Sequence, residues 1–283
     1  MKVVYCEQMV ADAQSFSPSA RKPREVTASW LRRFPGLLVV VPEPVSVAEL
    51  CLAHDPDYVR GVLSLRLANG FGNHLAEVAA SLPWTSGAML TAARLALVDG
   101  CAAAPVAGFH HAGHEQGGGF CTFNGLMVTA LALRRDKAVR RIGVLDFDQH
   151  YGNGTTDIIR ALGLHWVEHY SAGAWWDQPG QAGAFLDQIP DILRKFERCD
   201  LLLYQAGADP HVDDPLGGWL STAQLRERDR RVFAACRAMG LPVAWNLAGG
   251  YQANLRKLLD IHDNTMLECL SAFMPGASDG GQS

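Results

Sequence analysis

Short apolar, β-branched runs alternate along this chain with longer stretches of helical spacing. The strand candidates are Val3–Tyr5, Leu37–Val41, Pro105–Phe109, Ile142–Phe147, His165–Glu168, Leu201–Tyr204 and Val243–Leu247. Between them, Ser86–Val98 and Leu126–Arg135 are rich in Ala and Leu. Thr222–Met239 has Ser221 or Thr222 as N-cap and stops at Gly240. A strand followed by a helix, repeated, requires βαβ units and a mainly parallel sheet with helices on both faces. The fold class expected is therefore α/β, a single domain whose active site lies at the carboxyl ends of the strands. At 283 residues the chain can bury a sizeable core, and 48% apolar with 19% charged residues is globular composition. No Pro/Ser-rich linker divides it and no internal repeat is visible. The expected domain spans residues 1–275, with a small polar tail at 276–283 that is expected to be disordered.

Net charge −4 argues against nucleic acid held by phosphate attraction. No apolar run is long enough for a bilayer, and Glu7 follows the opening residues too closely for a secretory signal. The seven cysteines, Cys6, Cys51, Cys101, Cys121, Cys199, Cys236 and Cys269, are odd in number and lack Cys-x-x-Cys spacing. They are read as reduced thiols of a cytoplasmic protein, not as a disulfide framework.

Four polar clusters follow four of the strands. His110-His111 follows Pro105–Phe109, and Asp146, Asp148 and His150 end Ile142–Phe147. Asp209 follows Leu201–Tyr204, and Gly249-Gly250-Tyr251 follows Val243–Leu247. In open α/β sheets the carboxyl ends of strands line the ligand crevice, so these clusters can meet. Asp146-Phe147-Asp148-Gln149-His150 is the sharpest of them. A period of two puts Asp146, Asp148 and His150 on one face, where two carboxylates and an imidazole need a cation for compensation. Oxygen and nitrogen donors with one position left open suit hydrolytic zinc. The remaining ligand is expected to be a carboxylate from another strand end. Asp209 is the candidate, with Asp213 and Asp214 as competitors that otherwise read as a turn. His110 and His111 suit acid–base work beside the metal, since Gly113 and Gly117–Gly119 make a helical zinc pair from His110 and His114 improbable. Tyr251 is a candidate donor to an oxyanion, against the plain reading of a core tyrosine. His54, His74, His165, His169, His211 and His262 show no convergent pattern and are read as structural or surface.

Taken together, the stretches GFHHAGHEQGGGFCTFNG, VLDFDQHYGNGT, YQAGADPHVDDPLGG and NLAGGY resemble the zinc-dependent histone deacetylase and acetylpolyamine amidohydrolase superfamily, with its arginase/deacetylase-like fold. The resemblance covers roughly residues 85–260 and is looser toward the N-terminus, in the opening strand and in Leu52–Tyr58. It implies that Asp148, His150 and Asp209 hold one zinc per chain, with iron(II) as the alternative. It implies that His110 and His111 are the tandem histidines, His111 being the favoured base. Asp146 would hydrogen-bond His110 near a structural potassium ion, and Asn153 would orient His111. Tyr251 would polarise the amide carbonyl. Gly119 and Phe120 would line the acyl-lysine channel, opposite Leu216 and one of Trp175 or Trp176. Tyr151, Gln149 and Ala248 depart from the common pattern, and none stands at a ligand position.

The activity implied is removal of acetyl or other acyl groups from amines, in first place from acyl-lysine. Acetylpolyamine or another small acyl amine is the alternative substrate, and a catalytically silent metal-binding module is a third reading. The dimer loop that closes the mouth in polyamine enzymes would fall at Arg66–Trp84, and a homo-oligomer is among the expectations. A two-manganese ureohydrolase is disfavoured, because Ala206-Gly207-Ala208-Asp209 offers one acid where a second ion needs paired acids.

Overall fold

The computed structural model describes residues 1–274. The tail expected to be disordered, and the domain boundary at residue 275, lie outside the described residues. The seven strands are β1 (Lys2–Val4), β2 (Leu38–Val40), β3 (Cys101–Ala104), β4 (Ile142–Asp146), β5 (Val167–Ser171), β6 (Leu201–Gly207) and β7 (Val243–Ala248). They form one sheet in the order β2-β1-β3-β7-β6-β4-β5, and every pairing is parallel. The chain is thus a single α/β domain. The four strands that carry the polar clusters, β3, β7, β6 and β4, are consecutive neighbours in the centre of that order.

Period-two alternation distributes each strand between two cores. Leu201 and Leu203 pack on one face of the sheet with the helices Ala76–Asp99 and Gly125–Arg135. Leu202 and Tyr204 pack on the other with Ala182–Arg194, Thr222–Met239 and Leu255–Phe273. Both faces are covered, which is why the strands read as continuous apolar runs.

Three expectations need correction. The strand expected at Pro105–Phe109 lies earlier, at Cys101–Ala104. Its residues are small and wholly buried, so the β-branched signal was weak there, and Pro105 lacks the N–H that would continue the ladder. The strand expected at His165–Glu168 runs instead over Val167–Ser171. The segment Arg66–Trp84 is not one loop. Its second half belongs to the helix Ala76–Asp99, which passes through Pro83. Pro83 lacks the N–H that would bond the Ala79 carbonyl, yet the helix runs on through it, and the Pro83 carbonyl accepts from the Val45 N–H at 3.0 Å. At Thr222–Met239 the helix stands where its caps place it. Ser221 Oγ accepts from the Gln224 N–H, Gln224 Oε1 accepts from the Ser221 N–H, and Gly240 closes the helix at φ +63°. Among the described residues no helix is long and apolar enough to cross a membrane.

Candidate active site

The register of the sheet determines the floor of the site. Asp146 closes β4 opposite Gln205 of β6, and Gln205 stands opposite Asn246 of β7. Just past these ends, Asp148, His150 and Asp209 place one ligand atom each within 4.8 Å of one another. Both carboxylates are buried, and Gly249 makes room for Asp209: a Cβ there would fall 2.0 Å from Asp209 Cγ. Gly249 also has φ +47°, which a side chain would disfavour. The competitors lie outside this triad. Asp213 pairs with Lys257 at 3.1 Å, and Asp214 accepts from the backbone N–H groups of Tyr251 (2.7 Å) and Leu216 (3.0 Å).

The electrostatics of the triad call for a cation. The Asp148 and Asp209 carboxylates push His150 up to about 11. Burial and the neighbouring Asp148 raise Asp209 to about 7. His150 Nε2 is 3.2 Å from the Leu216 carbonyl; donation there leaves Nδ1, the atom facing both carboxylates, free to coordinate. Two carboxylate oxygens and one imidazole nitrogen, with the remaining side open, fit a divalent ion such as zinc.

The two histidines beside the triad are tuned in opposite directions. His110 is buried, with Nδ1 2.8 Å from Asp146 Oδ2 and Nε2 3.7 Å from Asp148 Oδ1. Burial works against its charge, but Asp146 and Asp148 outweigh it and hold His110 up to about 9. His111 Nδ1 lies 2.6 Å from Asn153 Oδ1. Burial and the adjacent His110 push His111 below the usual imidazole range. Burial raises the Tyr251 phenol far above its ordinary value, and the Asp148 and Asp209 charges add to that.

The rim is less complete than the floor. Phe120, at φ +64°, lies 5.6 Å from Tyr251, 5.2 Å from Phe16 and 5.8 Å from Phe71, ring centre to ring centre. Gly119 lies against the His111 ring, where a Cβ would come within 2.6 Å of Cδ2. Leu216 stands beside His150. The tryptophans are elsewhere: Trp175 is 70% exposed in a groove beside β5 with Tyr151 and Lys195. Trp176 donates to the Tyr170 hydroxyl at 2.9 Å and packs on Phe185. Neither faces Phe120, because the chain turns after β5 into the short helical turn Ala172–Ala174 and leads Trp176 back to the core.

Several supporting residues carried no signal in the sequence. Gln205 Nε2 donates to Asp146 Oδ1 at 2.9 Å. Arg228 is wholly buried and its Nη1 donates to the carbonyls of Phe147 (3.1 Å) and Gly207 (2.7 Å), clamping the ends of β4 and β6. Lys22 is also wholly buried and donates to the Gly249 carbonyl, behind the turn that carries Tyr251. His54, read as structural, bridges two loops of the site: its Nδ1 is 2.8 Å from the Gly113 carbonyl and its Nε2 accepts from the Asn124 N–H.

Comparison with known proteins agrees with this construction. A family profile described as the histone deacetylase domain matches residues 19–163 and 177–267. An uncharacterised protein of Picosynechococcus sp. is 31% identical over 79% of this chain and 82% of its own length. Histone deacetylase 2 of Arabidopsis thaliana is 27% identical over 84% of this chain and 70% of its own. The crystal structure of an acetylpolyamine aminohydrolase from Burkholderia pseudomallei superposes with a TM-score of 0.71 at 19% identity, covering 96% of this chain and 99% of that one. The chain therefore belongs to the histone deacetylase domain family and is an enzyme of its deacetylase and amidohydrolase class.

Proposed function

We propose that the protein hydrolyses the amide bond of N-acyl amines of the acyl-lysine type, with a zinc ion held by Asp148, His150 and Asp209. The observation that carries this reading is the convergence of that triad beside two histidines tuned in opposite directions. When bound, zinc polarises the substrate carbonyl and acidifies the attacking water. Iron(II) has the same donor preferences, and metal analysis distinguishes the two.

The residues divide the remaining work. His111 donates its Nδ1 proton to Asn153 Oδ1, which leaves Nε2 as the basic atom. His111 is neutral at pH 7 and takes a proton from the attacking water. His110, whose Nδ1 is held by Asp146, stands beside the triad where it can oppose the negative charge that develops on the substrate. Tyr251 keeps its proton and donates a hydrogen bond to the carbonyl oxygen as that carbon becomes tetrahedral. His111 then delivers its proton to the leaving nitrogen. The C–N bond breaks, and a free amine and a carboxylic acid leave. A structural potassium ion beside Asp146 belongs to the same reading. The rings of Phe16, Phe71 and Phe120 offer an apolar surface to the stem of an acyl-lysine, whereas a polyamine chain would need carboxylates at the mouth.

The test is metal analysis of the purified protein together with turnover of acetyl-lysine peptides, acetylpolyamines and longer acyl amides. Acetyl-lysine substrates are expected to lead. His111→Ala is expected to retain the metal and lose about 10²–10⁴-fold in turnover. Full metal content with no hydrolysis of any acyl amine would overturn the assignment.

A further inference from the structure

Tyr251 is carried by a turn with little stiffness of its own. The residues before it, Gly249 and Gly250, stand at φ +47° and +87°, and a glycine backbone leaves such states at low cost. The rings beside the phenol, Phe16 and Phe120, lie 6.2 and 5.6 Å away on loops of the mouth. The fixed points of the turn are on its backbone. Lys22 holds the Gly249 carbonyl, and Asp214 Oδ2 accepts from the Tyr251 N–H at 2.7 Å.

Asp214 is itself held in place. It is 5% exposed. The loop that carries it, between β6 and the helix Thr222–Met239, is closed on itself. The Pro210 carbonyl accepts from the N–H groups of Trp219 (2.8 Å) and Leu220 (2.7 Å), and the Val212 N–H donates to the Leu220 carbonyl at 2.9 Å. His211 braces the same loop: Nδ1 accepts from the Asp213 N–H at 3.0 Å, and Nε2 lies 2.8 Å from Thr222 Oγ1. The other oxygen of Asp214, Oδ1, accepts from the Leu216 N–H at 3.0 Å, an Asx turn. The carbonyl of Leu216 is in turn 3.2 Å from His150 Nε2. One buried carboxylate thus ties the peptide behind His150 to the peptide of Tyr251.

We infer that Asp214 is a positioning residue for Tyr251. It sets the phenol against the metal triad at the separation that donation to an oxyanion needs, and it acts through the backbone without touching substrate. A donor is useful only where charge develops, so a loosened turn costs turnover more than binding. The inference rests on the amidohydrolase reading above and adds a residue to it.

The test is Asp214→Asn, which keeps the size. Asn offers one oxygen, and the local turn to Leu216 retains it. The amide NH₂ then faces the Tyr251 N–H, donor against donor. On an acetyl-lysine peptide kcat is expected to fall about 10–100-fold, with KM little changed and full metal content by elemental analysis. In the Tyr251→Phe background the same substitution should cost less than about twofold, because no phenol is left to misplace. Asp213→Asn, one residue away and paired with Lys257 at the surface, should cost as little. Should Asp214→Asn not fold, Asp214→Ser, whose hydroxyl can accept from one of the two N–H groups, enters the same cycle. Unchanged kcat, equal losses in both backgrounds, or loss of the metal would overturn the role. If the unmodified protein turns over no acyl amine, calorimetric binding of acetohydroxamate runs the same cycle. A loss in Asp214→Asn that vanishes beside Tyr251→Phe upholds the positioning role while removing the reaction, and equal losses or none remove the role.

Discussion

Asp146, Asp148 and Asp209 lie at the floor of the site at 2% exposure or less, each tied to backbone or to a buried side chain. At the rim, Phe16 is 67% and Leu216 40% exposed. The floor is built on strand ends in adjacent register, where the buried carboxylates are held by hydrogen bonds from backbone and side chains of the protein. The rim is built on loops, where solvent satisfies whatever the protein does not. Chemistry is therefore expected to depend steeply on the floor, while the rim should adjust which substrate is taken.

The largest effect that would sharpen this contrast is expected at Asp148. Asp148→Ala should lose the metal and reduce hydrolysis to the rate in buffer, because the triad keeps only two of its three donors. A folded variant with full metal content, measured by elemental analysis, would break the floor's claim. Next comes Tyr251, which bridges floor and rim. Tyr251→Phe should keep fold and metal yet lower kcat on the order of 10²–10³-fold. An unchanged kcat on an acetyl-amine substrate would make Tyr251 a packing residue.

A third test concerns the loops between floor and rim, which His54 joins. Burial pushes His54 down to about 4 from its ordinary 6.5. Between those values the unfolded chain binds the extra proton and the folded chain does not. Stability should therefore be intact above pH 6.5 and fall as pH drops toward 4, with His54 contributing up to about 3 kcal/mol. His169, held down to about 4 by its own burial, should add to the same slope. Urea midpoints at pH 7.5 and 4.5 should differ less in His54→Gln than in the unmodified protein. Equal acid sensitivity of the two would remove His54 from this role. The smallest effect is expected at the rim itself. Phe120→Ala should raise KM a few-fold, about 1 kcal/mol, and leave kcat nearly unchanged. A kcat loss as large as that of Tyr251→Phe would erase the distinction between floor and rim.

The parts of the molecule that were legible in the amino-acid order share one property: their determinants are local. Asp146, Asp148 and His150 declare themselves by alternation within five residues, and the helix Thr222–Met239 by its own caps. The α/β class follows from segment periodicity in the same way. The strand Cys101–Ala104 escaped because complete burial beneath helices selects small residues, which carry little β-signal. Only the tertiary structure decided which carboxylate joins the triad. Asp209, Asp213 and Asp214 are near neighbours in the chain, and the register of β6 against β4, with the gap left by Gly249, selects Asp209. It also decided the supports. Lys22 reaches Gly249 across 227 residues, Arg228 reaches Phe147 across 81, and Gln205 reaches Asp146 across 59. It also moved both tryptophans away from the mouth. Contacts of that range depend on which strands lie side by side, and the order β3-β7-β6-β4 arises from helices crossing the sheet, a property of packing that no local run of residues carries.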